Sequence, residues 1–425
     1  MTERNIKSVR GWCPGALKPM ESGDGLIVRL RAHAGTLSAD DMLAIAGIAQ
    51  RFGNGLIDLT RRANVQIRGV TQDKLAGLWS DLSMLGLLDP SSDAEAVRNV
   101  MVNPLTGLDP TEICDVRSLA RELEHRLAED QALWQLPGKF GFIVDGTGLL
   151  SLDGERADIR LKAIRIGEET KVALGIDGPE GTTWLGAAGL QTAADAAVCA
   201  GHAFLDVRGS DVRSRMRDLP ETARLQMHAA VATQLALIEQ IPLGGETRPR
   251  LGTLDYNGSV FAAGIAAPFG RIEAGTLRTL VALSIKLGVR EFRLSPWRCF
   301  YATVSDEQTA KTLLAAAQAQ SLIIDTADPL LAIDACPGAP ACRSTTLDTR
   351  AAARRLAPLL NKLGCRCVHI SGCAKGCARS KPADLVLVGA GDRFGIIHHD
   401  TARAEPRDFV APAQITQLPP LVRTS

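Results

Sequence analysis

The chain lacks a long hydrophobic run and an excess of charge of either sign. No apolar stretch nears the roughly 18 residues that suggest a membrane span, and the N-terminal stretch Met1–Lys7 is polar, without the apolar segment of a signal peptide. The 48 Lys and Arg balance 47 Asp and Glu, so no global field points to nucleic acid or membrane. We therefore predict a cytoplasmic protein with no nucleic-acid or membrane partner, in which any anionic ligand meets a local basic patch.

Cysteine is also sparse. Ten cysteines in 425 residues are too few for a secreted disulfide scaffold, and they fit reduced thiols in the cytosol. Four of them form two pairs in the last quarter of the chain, Cys336 with Cys342 and Cys373 with Cys377. A 4Fe-4S cluster needs four thiolates that converge from tight turns, with small neighbours that let the backbone approach. The small neighbours here are Gly338, Ala339, Ala341, Gly372 and Gly376.

Two other interpretations of these four cysteines stay open, namely buried structural thiols and a zinc site. Zinc sites have roughly two to four residues between the two cysteines of a pair, whereas five separate Cys336 from Cys342. This spacing favours the cluster. Cys365 and Cys367 alternate in a strand-like run and compete as ligands, but the pair spacing favours the other four.

An internal repeat indicates the architecture. Residues 25–86 and 260–322 have the same predicted order of strand, turn, helix, two strands and helix. Gly35 and Gly270 are 235 positions apart, and so are Leu59 and Leu294. A common offset with a common element order indicates duplication, and each half needs a partner for its sheet. We therefore predict that the two halves pair about a pseudo-two-fold axis.

Two helix starts can be predicted within the repeat. The first helix should begin near Ser38, whose offset to Asp41 resembles a capping box. The last helix of the second repeat should be opened by Ser305, with Gln308 three residues further on.

The two cysteine pairs resemble those of the sulfite and nitrite reductase superfamily, where they hold the cluster and the final cysteine also bridges to sirohaem iron. Within it, the stretch His369–Cys377 is most similar to the precorrin-3B synthase family of aerobic cobalamin biosynthesis. The sirohaem reductases usually have Pro and Asn in the middle of the last pair, where this chain has Ala374 and Lys375.

The resemblance implies an α+β fold with duplicated ferredoxin-like half-domains and two flanking reductase-type α/β domains, one of which holds the cluster. We place the N-terminal segment and first half-domain at 1–90 and the first reductase-type domain at 95–240. The second half-domain follows at 250–325, and the iron–sulfur domain at 328–425.

The resemblance also implies a tetrapyrrole site. A uroporphyrinoid carries about eight carboxylates, which guanidinium groups bind with defined orientation. Arg62, in Thr60–Arg68, matches the arginine of the superfamily's Thr-Thr-Arg-Gln-x-x-Gln loop, Arg98 matches a second such arginine, and Lys139 matches the first lysine of Leu-Pro-Arg-Lys-Phe-Lys. A surface charge is the alternative for any one of them.

Further candidates lie in the second repeat and in the cluster loop. Arg298 stands beside Trp297 in the loop that corresponds to Thr60–Ala63, and this pair suits a flat macrocycle rimmed with acids, although Trp297 is equally well a core residue. Lys375 completes the predicted substrate-binding residues. The sequence identifies no catalytic residue.

Two departures from the reductases bear on function. Gly138 replaces an arginine, and Gly141 replaces the second lysine, which in the reductases helps to bind the oxyanion. Losing these charges weakens the electrostatic stabilisation that such a reduction needs. The alternatives are a sirohaem-dependent sulfite or nitrite reductase and a non-catalytic electron carrier or structural metal protein.

The favoured family hydroxylates precorrin-3A at C20 with O2 and reducing equivalents, while a ring-A acetate closes as a γ-lactone. The resemblance implies that the cluster supplies single electrons, that a mononuclear non-haem iron activates O2, and that no sirohaem is bound. Of the seven histidines, only His398 forms a His-x-Asp pair, with Asp400, and a polar strand end explains it as well. We predict no histidine ligand for the iron, and a role for His369 beside the cluster.

The electron source is expected to be external. A pyridine-nucleotide site would show Gly-x-Gly-x-x-Gly between a strand and a helix. The nearest candidate, Gly389–Gly395, has its third glycine one position late and is typical of a hairpin turn. An NADH-linked reductase or a ferredoxin is therefore the predicted donor.

Overall fold

The structure is a computed structural model that describes residues 13–238 and 250–421. The polar stretch Met1–Lys7 and the last two residues of the predicted 95–240 domain lie outside the described residues. Across the described part of the chain, no helix is both long enough and apolar enough to cross a membrane.

The first half-domain is an antiparallel sheet covered by two helices. Its strands are β1 (Met20–Ser22), β2 (Gly25–Leu30), β3 (Thr36–Ser38), β4 (Leu56–Leu59) and β5 (Val65–Val70), and its helices are α1 (Ala39–Phe52) and α2 (Leu75–Met84). Helix α1 begins where the sequence predicts, because the Ser38 hydroxyl accepts the Asp41 N–H at 2.9 Å.

The next unit is a mixed sheet with helices. It contains α3 (Ser92–Val97), β6 (Val100–Val102), α4 (Arg117–Glu129), β7 (Phe142–Asp145), β8 (Ile159–Ile166), β9 (Glu169–Gly178), β10 (Gly181–Gly189), α5 (Ala193–Val207) and α6 (Glu221–Val231). The sheet order is β10-β9-β8-β7-β6, in which β6, β7 and β8 are parallel and β9 and β10 are antiparallel.

The second half-domain repeats the first. It contains β11 (Gly252–Tyr256), β12 (Ser259–Ala266), β13 (Arg271–Glu273), α7 (Ala274–Lys286), β14 (Glu291–Leu294), β15 (Cys299–Thr303) and α8 (Glu307–Ala319). The predicted start of α8 at Ser305 is wrong by one residue. Asp306 is the N-cap and accepts the Thr309 N–H at 2.7 Å, because its carboxylate lies three residues before that amide.

The last unit repeats the mixed sheet. It contains β16 (Ile333–Ala335), α9 (Thr349–Leu356), α10 (Leu360–Leu363), β17 (Val368–Ser371), β18 (Ala383–Ala390), β19 (Arg393–Asp400) and β20 (Asp408–Val410). Strands β16, β17 and β18 are parallel, and β19 and β20 are antiparallel. The predicted hairpin between Gly389 and Gly395 is confirmed, with Gly391 at φ 66° in the turn.

The two half-domains exchange strands. Strand β13 of the second half pairs with β4 of the first, and β3 of the first pairs with β14 of the second. The left-handed residues Ala34 and Phe269 are 235 positions apart, as are Ala63 and Arg298. Both halves also share one hydrophobic core. The duplicated, α+β architecture with a pseudo-two-fold axis is therefore confirmed.

The two mixed sheets are duplicates as well. Phe142 pairs with Val100 on one side and Ile159 on the other, and Val368 pairs with Ile333 and Leu385 in the same way. Just before these central strands, the Gly141 N–H donates to Asp158 at 2.8 Å, and the Cys367 N–H donates to Asp384 at 3.0 Å. Gly141 and Cys367 are therefore equivalent positions.

Candidate functional site

A cavity of about 990 Å³ lies where all four units meet. The β4–β5 loop contributes Arg61 and Arg62, the equivalent loop of the second half contributes Trp297, and the two mixed sheets supply the remaining walls together with the linker around residues 326–332. The duplicated fold thus places equivalent loops on opposite sides of one cavity.

The cavity wall is strongly basic. Eight basic side chains face three acidic ones in its lining, although the chain as a whole is almost neutral. The basic residues are Arg61, Arg62, Arg156, Arg215, Arg217, Arg366, Arg379 and Lys381, and the acidic ones are Glu155, Asp328 and Asp334. A concentration of one sign of charge in a concave site attracts and orients a ligand of the opposite sign.

Arg62 is placed in the cavity wall, where the sequence predicted a substrate contact. One guanidinium nitrogen donates to the backbone carbonyl of Lys139 at 2.9 Å. Burial lowers the pKa of Arg62, and the charges of Arg215 and Arg217 lower it further. A Cβ on Gly141 would lie only 3.4 Å from its Nη1, so the glycine leaves the guanidinium open to the cavity.

Asp334 gathers three arginines from three parts of the chain. Its carboxylate contacts Arg61, lies 3.5 Å from Arg298 and accepts from Arg379 at 3.2 Å. Burial by itself raises the pKa of Asp334, but the charges of Arg61 and Arg298 outweigh it and hold that pKa below its usual value. Arg298 therefore reaches the cavity region through an ion pair.

Arg98 is placed differently from what the family match suggests. Its guanidinium is buried and forms two hydrogen bonds of 2.8 Å with the carboxylate of Asp89, and a third of 2.9 Å with the carbonyl of Arg31. It does not line the cavity. Lys139 and Lys375 are exposed, and only the backbone of Lys139 touches Arg62.

Sequence reasoning missed several residues of the wall. Arg215 forms an ion pair with the buried Asp158, and Arg217 lies 3.5 Å from Asp177. The alternation of arginines at 213, 215 and 217 was a visible signal of a basic strip. Arg366 and Lys381 had no such signal, because they reach the cavity only through the folding of the last unit.

Glu155 is an acid in this basic wall. Its carboxylate accepts the indole N–H of Trp297 at 3.1 Å. Burial raises the pKa of Glu155, while Arg61 and Lys381 act in the opposite direction without cancelling it. A carboxyl with a raised pKa in a cleft is a candidate for proton exchange with a ligand.

The four predicted ligand cysteines lie on two loops at the carboxyl ends of β16 and β17. Cys336 is buried, and its sulfur accepts the Gly372 N–H at 3.1 Å. Cys342 and Cys373 are half-buried and Cys377 is exposed. Burial raises the pKa of Cys377, and the charges of Cys373, Cys336 and Cys342 raise it further, so the four thiols lie within electrostatic reach of one another.

At two positions, Gly338 and Gly372, the backbone of these loops leaves no room for a side chain. A Cβ on Gly372 would lie 2.4 Å from the Thr345 side chain, and one on Gly338, which has φ 62°, would lie 2.5 Å from Thr349. Four soft thiols that converge from tight, glycine-dependent loops are the donor set that a cubane cluster takes. Across residues 13–238 and 250–421, no three His, Cys, Asp or Glu side chains are grouped closely enough to hold a single metal ion. A cubane differs, because its thiolates bind four separate iron corners.

His369 is fully buried on β17, directly opposite Asp334 on β16. Neither ring nitrogen has a hydrogen-bond partner among the described residues. Burial lowers its pKa to about 4, and its Cε1 lies 3.6 Å from where a Cβ of Gly376 would stand. His369 therefore lies between the cluster loop and the Asp334 ion pairs. His398 and Asp400, by contrast, are exposed at the end of β19, away from the cavity.

Cys365 and Cys367 line the cavity and not the cluster loops. Burial raises the pKa of Cys365 to about 11 and also raises that of Cys367. Both are therefore protonated thiols near neutral pH.

Comparisons with known proteins agree with this architecture. Residues 18–85 match the nitrite/sulfite reductase ferredoxin-like half domain, and residues 93–233 match the nitrite and sulphite reductase 4Fe-4S domain. The chain is similar to NirA of Mycobacterium tuberculosis, with a TM-score of 0.75 at 19% identity over 92% of this chain and 79% of the other. This structural likeness concerns the fold.

Two relatives in sequence are similar over most of the chain. A ferredoxin–nitrite reductase of Synechococcus elongatus is 26% identical over 86% of this chain and 76% of its own length. A precorrin-3B synthase of a Sinorhizobium species is 33% identical over 94% of this chain and 85% of its own length. The chain therefore belongs to the precorrin-3B synthase family, within the nitrite and sulfite reductase superfamily.

Proposed function

We propose that this chain is a cytoplasmic precorrin-3B synthase. It would hydroxylate precorrin-3A at C20 with O2 and an external reductant, and a ring-A acetate would close as a γ-lactone. The electron donor is an NADH-linked reductase or a ferredoxin. The observation that carries the proposal is the basic cavity of about 990 Å³, whose wall includes Arg379, two residues after Cys377 of the proposed cluster loop.

The size and charge of the cavity suit a polycarboxylate macrocycle. Guanidinium groups bind carboxylates with defined geometry, and this wall presents seven of them with one lysine. Arg62 is held by the Lys139 carbonyl and Arg215 by Asp158, so both are oriented before a ligand arrives. In the proposed complex these side chains bind and orient the substrate acids. Arg298, Lys139 and Lys375 stay candidate contacts at the margin of the site.

The four cysteines of the two loops are the proposed ligands of the 4Fe-4S cluster, which supplies single electrons when it is bound. Arg379 and Lys381 follow Cys377 by two and four residues and line the cavity, so the cluster loop continues directly into the substrate wall. The residues around the thiols exclude bulk water from Cys336, which is 6% exposed. The mononuclear non-haem iron that the family implies has no proposed ligands among these residues.

The absence of a lysine at Gly141 supports a substrate other than a small oxyanion. In the reductases that lysine helps to bind the oxyanion, and here the space beside Arg62 is open. An open position leaves room for a macrocycle, and we propose that the protein binds no sirohaem of its own.

The test is incubation of anaerobically purified protein with precorrin-3A, a reductant and isotopically labelled O2, followed by mass analysis. One labelled oxygen in a lactone product is the expected result. Reductant oxidation that depends on sulfite or nitrite, with an unchanged tetrapyrrole and a sirohaem absorption spectrum, would overturn the proposal in favour of a reductase.

A further inference from the structure

The cavity lies on the pseudo-two-fold axis, so its opposite walls carry equivalent positions. The offset of the half-domains makes Trp297 the equivalent of Arg62. The strand register of the mixed sheets makes Asp334 the equivalent of Met101. All four side chains line the same cavity. Position by position, the two walls therefore differ in chemistry although their backbones repeat.

One such pair is Gly141 and Cys367. Their amides donate to Asp158 and Asp384 at 2.8 and 3.0 Å, and their carbonyls accept the N–H of the same two aspartates at 2.8 and 3.0 Å. Both residues line the cavity. The duplicated backbone thus places a thiol across from the glycine that leaves Arg62 open.

The thiol of Cys367 behaves as a small apolar group. Burial raises its pKa, and the nearby charge of Arg379 opposes this only partly. It packs against the small cluster of Val386, Ile397 and Ala402 while its other side meets the cavity. A protonated, half-buried thiol reacts with alkylating reagents more slowly than a thiolate and is a poor metal ligand, but it packs well against a flat apolar surface.

We propose that Cys367 contacts the macrocycle of a bound tetrapyrrole, and that its small side chain determines how deeply the macrocycle enters between the two walls. The inference rests on the proposed function and adds a specificity-determining residue to it. The carboxylates are bound by the arginines, whereas the macrocycle itself needs an apolar surface close to the axis, which the Gly141–Cys367 pair provides.

The first test is alkylation of the holoprotein with N-ethylmaleimide, with and without uroporphyrin III as a polycarboxylate tetrapyrrole probe. Modified cysteines are identified by mass spectrometry. Cys199, half-buried on α5 outside the cavity, is the internal control. Cys367 should be protected by the probe by about tenfold or more, as expected for a contact that excludes the reagent, while Cys199 reacts equally in both samples.

The second test varies the size of the side chain. Cys367→Phe should weaken the binding of uroporphyrin III about tenfold or more, because overpacking of a filled contact is costly. Cys367→Ala removes part of the contact but adds no bulk, so it should weaken binding less than Cys367→Phe does. Iron and sulfide content, measured on both variants, verifies that the cluster is retained.

The outcomes separate this inference from the proposed function. Uroporphyrin binding that neither protects Cys367 nor is weakened by Cys367→Phe would overturn the inference and leave the tetrapyrrole site standing. No uroporphyrin binding to the unmodified protein would overturn both. If Cys367 is unreactive even without the probe, unchanged binding by Cys367→Phe alone decides against the contact.

Discussion

Replacing Asp334 by Asn should loosen the junction between three parts of the molecule. Its carboxylate contacts Arg61 of the first half-domain, Arg298 of the second and Arg379 of the last unit. The amide keeps the shape of the side chain but removes its charge, so three guanidinium groups lose their common partner. We expect a lower thermal stability.

The magnitude follows from how deeply each contact is buried. Arg61 is 52% exposed, so solvent screens its contact, which is worth at most about 1 kcal/mol. Arg298 and Arg379 are 18% and 21% exposed, and each charge-assisted contact there is worth about 1 kcal/mol. The variant should therefore lose about 2–3 kcal/mol of stability. With an unfolding entropy of about 2.1 cal/mol/K per residue, this lowers Tm by about 2–3 °C when all 425 residues unfold together.

Circular dichroism melts at neutral and acid pH provide the assay. The pKa of Asp334 is lowered in the folded chain, so its stabilisation is present at neutral pH and is lost as the pH falls through the lowered pKa. The difference in Tm between Asp334→Asn and the unmodified protein should accordingly shrink below about pH 4. Asp392→Asn, at an exposed hairpin tip, is the matched control. A neutral-pH Tm equal to that of the control would refute the reasoning.

Four further predictions concern individual side chains. The proposed cluster ligands are Cys336, Cys342, Cys373 and Cys377. Replacing any one of them by serine should release iron and sulfide, whereas Cys365→Ser should retain both, as measured by iron and sulfide analysis. Arg62→Ala should raise the KM for the tetrapyrrole about ten- to a hundredfold with the cluster retained, through loss of one charge-assisted contact. Arg98→Ala should instead lower the free energy of unfolding by about 3–5 kcal/mol in a urea titration, because it leaves Asp89 buried and unpaired; an increase in KM without loss of stability would contradict this. The pKa of Glu155 is raised, so its negative charge appears as the pH rises through that pKa. This charge repels the carboxylates of uroporphyrin III, so the affinity should fall over that pH range. Glu155→Gln should remove this part of the pH dependence.

Local signals in the sequence predicted much of the fold. Ser38 caps α1 because its hydroxyl is three residues before a free amide, and this depends on neighbours in the chain alone. The 235-residue offset likewise predicted the duplication, and the left-handed residues Ala34 and Phe269 repeat it in the structure. The exchange of β3 and β13 between the halves was not predicted, since it depends on pairing between strands far apart in the chain.

The site residues show the same difference between features that depend on neighbours in the chain and features that depend on the folded structure. A motif match assigns a position but not a partner, and Arg98 has a buried partner nine residues before it, in Asp89. Arg366 and Lys381 reach the cavity only because β17 and β18 bring their ends together. No local pattern carries that information. The assignment of the four cysteines depends on spacing and small neighbours, and it stays a prediction until iron is measured.

The duplication also explains why only one of the two mixed sheets is proposed to hold a cluster. The register makes Asn103 the equivalent of Cys336 and Asp145 the equivalent of Ser371. In the first unit the Asn103 amide donates to Asp145 at 3.1 Å, and Asp145 also accepts the Leu152 N–H at 2.8 Å. A hydrogen-bonded amide and carboxylate therefore stand in the first unit where Cys336 and Ser371 stand in the last.

Residues 93–233 match a 4Fe-4S domain model although they contain only two widely separated cysteines, at 114 and 199. The match therefore reports the backbone that both units have in common, and the side chains at equivalent loops decide which unit binds metal. The same logic applies to the cavity on the axis, where a repeated backbone presents Arg62 opposite Trp297 and Gly141 opposite Cys367. If the cavity binds a macrocycle as proposed, these unlike walls should hold it in one orientation.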